Sequence, residues 1–419
     1  MILTSLLLVV MALLGAPLFA IIGAGALLGY ARADVDLTAV PIEIYGIAET
    51  PILLAIPLFT FAGYVLSESQ AAARLVRLSS ALLGWLPGGL AIVAVATCSL
   101  FTAFTGGSGV TIIAIGALLF PALVQAGYSE RFTLGLVTSS GSLGLLFAPS
   151  LPLIIYGIIA EVSIDSLFVA GVVPGILMML VLGGFCIWRN RENRRPLADF
   201  SWSEVGAAIR ESIWELPLPV VVLGGIYSGF FAVSEAAAVT VVYVLIAELL
   251  IYREVPLSRL PIIVRNSMVL VGGILLILGI SLASTNYMID AQVPQQLIAI
   301  VTRYISDQTS FLLLLVGFLM LIGCILHIYS ALVLVVPLIL PVATQYQVDP
   351  VHLGIIFVAT MELGYLLPPI GLNLYISSFR FKRPVLEVCV ATFPFMLILL
   401  GAVLLITFIP TLSLFFLRE

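Results

Sequence analysis

Four short stretches hold most of the residues in this chain that could do chemistry. Thr105-Gly106-Gly107-Ser108-Gly109 puts three glycines and two hydroxyls in five positions. Ser139-Ser140-Gly141-Ser142-Leu143-Gly144 leads into Ala148-Pro149-Ser150-Leu151-Pro152. His327 and Ser330 follow Gly323, and Thr360-Met361-Glu362-Leu363-Gly364 leads into Pro368-Pro369-Ile370-Gly371-Leu372-Asn373. Glycine costs about 1 kcal/mol in a helix interior and proline removes a donor, so each stretch should break a helix. In hydrocarbon the freed amides and carbonyls cost several kcal/mol each unless they line a cavity or meet a ligand. Carbonyls beside Ser and Thr hydroxyls suit a hard cation of sodium's size, and half-helix N-termini attract a carboxylate. The chemistry implied is the holding of an anion with a companion cation. For any one stretch alone, glycine used for close helix packing explains the residues as well.

Bond-breaking chemistry finds less support. Gly106-Gly107-Ser108-Gly109 could mimic the turn of a serine nucleophile, with His327 or His352 as base, and an intramembrane protease is the enzyme rival. A phosphate-cradling Gly-Lys-Ser/Thr loop cannot exist, because Lys382 is the only lysine. Cys98, Cys186, Cys324 and Cys389 lie in apolar segments without a pairing pattern and read as small buried hydrophobes. The basic clusters come with no soluble domain, so nucleic acid is not an expected partner.

The elements that must position these stretches are membrane helices. Of 419 residues, 62% are hydrophobic and 9% charged, and the mean hydropathy is +1.24; the chain is polytopic and all-α. Helices are expected over 3–30, retained rather than cleaved as a signal, and over 50–67, with an interfacial helix over 68–84 that carries Arg74 and Arg77. A re-entrant hairpin is expected over about 90–125, a broken helix over 132–160 and a span over 167–188. An additional crossing should lie at 213–231. After it come 234–252, 266–284, an amphipathic stretch 288–306, a second hairpin over about 311–345, a second broken helix over 352–379 and a last crossing over 387–415. Arg189, Arg191, Arg194 and Arg195 form one basic cluster and Arg380, Lys382 and Arg383 another, and short basic loops stay cytoplasmic. The N-terminus is then cytoplasmic and the C-terminus periplasmic, with nine crossings and two hairpins. Tyr64, Trp85, Trp188, Trp202 and Trp214 read as interface anchors.

A displacement of 220 positions superposes Pro121 on Pro341, Gly144 on Gly364, Pro149 on Pro369 and Pro174 on Pro394. Two copies of one unit, each with a Gly/Pro break at the matching place, are the mark of a secondary transporter built from inverted repeats. Residues 1–195 are expected to be the first repeat, 196–232 a linker with the extra helix, and 233–419 the second repeat. A channel is the rival within transport. Glu235, beside Ala236-Ala237-Ala238, reads as part of a packed scaffold helix, and Glu362 as lining the cavity.

At these segments the chain resembles the large membrane subunit of tripartite ATP-independent periplasmic (TRAP) transporters. The resemblance runs through Gly106-Gly107-Ser108-Gly109 to Pro121, Ser140 to Ser150 and Leu167 to Gly175. It continues through Ser234-Glu235-Ala236-Ala237-Ala238, Pro337 to Pro341, Asp349-Pro350-Val351-His352 and Glu362 to Asn373. It covers essentially the whole chain. It implies a multi-pass protein of the bacterial inner membrane, a sodium-driven importer of organic acids such as dicarboxylates or sialic acid, working by an elevator mechanism. The implied partners are a periplasmic substrate-binding protein and a separate small subunit of four helices. By the same resemblance Gly106, Ser108, Gly109, Gly141, Ser142 and Gly144 would make one sodium site, and Gly323, His327, Ser330, Thr360, Glu362 and Gly364 would lie at or near another. Thr105, Ser108, Ser150, Ser330 and Asn373 are the candidate substrate contacts, and no cofactor other than sodium as coupling ion is implied. The family often has an acid where His327 stands and Thr-Pro-Pro where Leu367-Pro368-Pro369 stands, which puts the side-chain ligands of the second ion site in question.

Overall fold

The computed structural model describes residues 7, 8, 10, 11, 14–86, 88–190 and 199–417. Among these the regular structure is all helical. The basic positions Arg191, Arg194 and Arg195 lie outside the described residues.

The helix expected over 3–30 is interrupted. Leu14-Gly15 form a turn in which Gly15 takes φ +81°, and Pro17 stands at the N-cap of α1 (Leu18–Arg32). Proline lacks an amide hydrogen and its fixed φ suits a helix start, so the chain breaks there. α2 (Ala39–Ala48) follows, then a 3-10 turn at Pro51–Leu54 continued by α3 (Ala55–Glu68).

α4 (Ala71–Leu83) has the expected amphipathic pattern but does not lie free at an interface. Arg74 is 8% exposed; its Nε is 2.5 Å from Glu215, its other nitrogens pair with Glu254 and, at 3.3 Å, with Glu248, and its guanidinium stacks 3.9 Å over the Tyr252 ring. Burial pushes the Glu215 carboxyl up from its ordinary range, with Arg74 opposing the shift. Charges this deep stay only if paired, so α4 is pinned to the segment 248–254.

α5 (Gly89–Thr105) and α6 (Ser108–Gln125) form the first hairpin, with its break at Gly106-Gly107. α7 (Glu130–Ser140), a 3-10 turn at Leu143–Leu146 and α8 (Leu151–Ala160) form the first broken helix, bent by 44°. Eleven residues rise about 16 Å, roughly half a hydrocarbon core, so the break sits near mid-depth. α9 (Ile164–Arg189) is a full span. α10 (Trp202–Glu211) was not anticipated, and the expected crossing over 213–231 reduces to α11 (Pro217–Tyr227), eleven residues and too short to span alone.

A second run of elements follows α11. α12 (Val233–Leu245) ends in a π-helical segment, Ile246–Ile251. α13 (Leu260–Asp290) and the amphipathic α14 (Val293–Tyr304) precede the second hairpin, α15 (Gln308–Ile325) and α16 (Ile328–Gln345). The second broken helix is α17 (Pro350–Gly364) and α18 (Leu372–Phe381), and α19 (Val385–Phe408) is the last long span. The crossing expected over 387–415 stops at Phe408, because Pro410 ends it and starts the short α20 (Thr411–Leu414). Eight helices among the described residues are long and apolar enough to cross a membrane, or nine with the bent pair, and the arms α6, α15 and α16 are among the eight.

Candidate functional site

The first hairpin folds back on itself at a point only glycine fills easily. Gly106 sits in the left-handed region, φ +67°, and a Cβ there would stand 2.8 Å from Leu151 Cδ1. Across the two arms the Thr102 and Thr111 hydroxyls are 2.6 Å apart, and Thr102 donates to the Gly141 carbonyl at 2.8 Å. Gly144 presses backbone to backbone on α5: an added Cβ would meet Ser99 O at 2.2 Å. The tip therefore lies level with the break between α7 and α8, as a re-entrant loop requires.

The second hairpin meets the second break in the same manner. Gly323 and Gly364 touch so closely that a Cβ on Gly364 would be 2.6 Å from Gly323 Cα. The Ile328 amide donates to the Tyr365 hydroxyl at 2.7 Å, and Cys324 Sγ lies 3.2 Å from the Leu367 carbonyl. Contacts from the first hairpin tip then join the halves. Tyr329 donates its hydroxyl to the Gly106 carbonyl at 3.0 Å, and Ser108 donates to Asn373 Oδ1 at 2.9 Å. Asn373 is fully buried, its Nδ2 faces the Thr138 carbonyl at 3.5 Å, and Thr138 in turn bonds Ser377 at 2.8 Å.

These contacts frame a cavity of about 230 Å³ between the tips. Gly106, Ser108, Gly109 and His327 line it with Tyr329 and Tyr365, over a floor that includes Leu145, Leu270 and Ile376. The helices α6 and α16 both begin at its edge, at Ser108 and Ile328, so two helix N-termini face one space. His327 precedes α16, its ring 4.8 Å from Tyr329 and 6.0 Å from Tyr365.

The remaining candidates are placed as follows. Gly141, Ser142 and Gly144 form the buried turn behind the tip. Thr105 donates back to Phe101 O at 2.9 Å, Ser150 caps α8 and donates to Leu145 O, and Ser330 is half-buried; none of the three borders the cavity. Thr360 and Glu362 are buried on α17, and among the described residues neither the Thr360 hydroxyl nor either Glu362 oxygen has a hydrogen-bond partner. Glu235 accepts the Ala232 amide at 2.9 Å and so caps its helix. His352 is structural: its ring bonds Ser413 at 2.5 Å and the Thr407 carbonyl at 3.2 Å. Sequence reasoning missed Thr102, Thr111, Thr138, Tyr329, Tyr365 and Ser377; only their nearness to the breaks could have singled them out.

No three His, Cys, Asp or Glu side chains converge among the described residues. Ser108 points its hydroxyl at an amide oxygen, which cannot serve as a base.

A family model described as tripartite ATP-independent periplasmic transporter, DctM component, matches residues 4–412. The chain belongs to the DctM family. A C4-dicarboxylate TRAP transporter large permease protein, DctM, from Pseudomonas aeruginosa is 35% identical over 90% of this chain and 89% of that protein. The ectoine/5-hydroxyectoine TRAP transporter large permease protein UehC from Ruegeria pomeroyi is 33% identical over 97% and 96%. In fold, the chain is similar to the YdaH transporter of Alcanivorax borkumensis, with a TM-score of 0.63 over 89% of this chain and 87% of that one, at 14% identity. As a DctM-family protein the chain is a multi-pass transporter permease and not an enzyme, and its family's systems are tripartite by name.

Proposed function

We propose that this chain is the large membrane subunit of a sodium-coupled importer that moves an organic acid through the bilayer by an elevator motion. The observation that carries the reading is the meeting of two hairpin tips and two helix breaks around one cavity, with two helix N-termini facing it. N-terminal dipoles favour a carboxylate, and the carbonyls and hydroxyls behind the tips favour a hard cation. In this reading Gly106, Ser108, Gly109, Gly141, Ser142 and Gly144 hold one sodium ion. Gly323, His327, Thr360, Glu362 and Gly364 lie at or near a second. The unpartnered Glu362 carboxylate supports a cation there, since a charge without a partner is costly at that depth.

The two halves are read as inverted repeats, 1–195 and 233–419, with the N-terminus cytoplasmic and the C-terminus periplasmic in a bacterial inner membrane. A periplasmic binding protein delivers the substrate and a separate four-helix subunit completes the membrane part. Relatives named for C4-dicarboxylates and for ectoine support a small carboxylate-bearing solute. Each sodium ion entering down 100 mV supplies about 2.3 kcal/mol, so two more than offset the electrical cost of one monovalent anion. The test is uptake into proteoliposomes supplied with binding protein and small subunit. Uptake in sodium buffer and none in choline supports the reading; equal uptake in both refutes it.

A further inference from the structure

A second polar crevice lies away from the hairpin tips, where α7 begins, α9 ends and α19 passes between them. It encloses about 280 Å³, with Arg131, Arg189 and Asn190 at its edge and Phe132, Phe185 and Phe395 among its walls. The rings pack on one another, Phe132 to Phe395 at 5.4 Å and Phe185 to Phe395 at 5.2 Å, so the apolar wall is continuous. Its depth in the membrane is set by α9, a 26-residue span that ends at Trp188-Arg189 with Trp188 outward; aromatic side chains in that place mark the lipid–water boundary.

The two arginines are under-used. Arg131 makes one long contact, 3.4 Å to the Val390 carbonyl, and Arg189 has no ion pair or hydrogen bond among the described residues. The neighbouring Arg383, by contrast, is matched by Glu130 and, at 3.9 Å, by Glu387. Guanidinium forks with one long carbonyl contact between them among the described residues, set above a phenylalanine wall at the boundary, match a molecule with a phosphodiester at one end and hydrocarbon at the other. A free inorganic anion would use the forks and leave the aromatic wall without a purpose.

We infer that this crevice is a binding site for an anionic phospholipid, its phosphate held by Arg131 and Arg189 and its glycerol and first acyl carbons laid on Phe132, Phe185 and Phe395. The site is independent of the transport cavity.

The test uses the full chain in zwitterionic detergent, titrated with short-chain phosphatidylglycerol, phosphatidylcholine and inorganic phosphate and read by native mass spectrometry and thermal shift. Phosphatidylglycerol should bind and stabilise, with affinity falling about 30-fold in R131Q/R189Q, from roughly fivefold per juxtamembrane arginine. R303Q, at an exposed arginine elsewhere, should leave it unchanged. Equal affinity for phosphatidylcholine, an equal effect of phosphate alone, or an unaltered double variant would overturn the assignment. Should the double variant fold poorly, a photoactivatable phosphatidylglycerol on the wild-type chain decides: labelling of the peptides holding Phe132 and Phe395 supports the site, and labelling confined to other helices overturns it.

Discussion

Replacing Gly144 by alanine tests how closely the first break must press on the first hairpin. Gly144 does not use a left-handed backbone, so alanine suffers only from its surroundings. Its Cβ would stand 2.2 Å from Ser99 O, 2.6 Å from Ala103 N and 2.6 Å from Thr102 Cβ, and two of these atoms are backbone. Ordinary contacts settle near 3.5 Å, so α5 must withdraw by about 1 Å. Overpacking of this kind costs roughly 1–3 kcal/mol. The same shift pulls Thr102 from the Gly141 carbonyl, now 2.8 Å away, which costs about 1 kcal/mol more. If sodium binding must restore the original contact, a total of about 2–4 kcal/mol becomes a roughly 30- to 700-fold rise in the sodium concentration for half-maximal uptake. Gly401→Ala is the control, since nothing lies within 4 Å of its added Cβ and alanine favours the helix by about 0.5–1 kcal/mol. The assay is initial uptake into proteoliposomes against sodium concentration, with thermal melting of both variants. A Gly144→Ala protein with wild-type sodium dependence and wild-type melting would refute the reasoning.

Other perturbations follow from the same geometry. Ser108→Ala and Asn373→Ala each remove one end of a buried 2.9 Å hydrogen bond, so their effects on substrate half-saturation should be coupled by about 1 kcal/mol in a double-mutant cycle; strict additivity would deny that the pair joins the halves. Arg74→Ala leaves the buried Glu248 uncompensated and should cost about 3–5 kcal/mol, seen as a lower melting temperature, and the further change Glu248→Gln should restore part of it. Glu362→Gln removes a buried carboxylate that lacks a partner among the described residues; melting in sodium-free buffer should rise while sodium dependence of uptake weakens, and an unchanged sodium profile would remove Glu362 from the ion site.

The breaks were legible in the sequence because glycine and proline act locally. Gly106-Gly107, Gly141 to Pro149 and Gly364 to Gly371 crowd several breakers into a few positions, and the structure breaks at each, whereas the lone Pro121 and Pro174 stay inside helices. The amphipathic helices at 71–83 and 293–304 were legible from periodicity. What periodicity cannot carry is the identity of a distant partner. Arg74 reads as an interfacial cation until Glu215, Glu248 and Glu254 arrive from more than a hundred residues away. Tyr329 reads as one more apolar residue until its hydroxyl meets Gly106 O, and Ser108 reads as an ion ligand or nucleophile until its hydroxyl donates to Asn373 Oδ1. Helix ends at Pro17 and Pro410 were readable and were passed over, because long apolar runs hid single prolines.

Sodium binding by the purified chain itself tests the central claim most directly. A ligand that binds only the folded state stabilises it by about 2.7 kcal/mol at a hundred times its dissociation constant. Thermal melting at constant ionic strength in sodium, potassium and choline chloride should show a melting temperature that rises with sodium alone and loses that rise in Gly144→Ala. Identical curves in the three salts would contradict a cation site behind the hairpin tips.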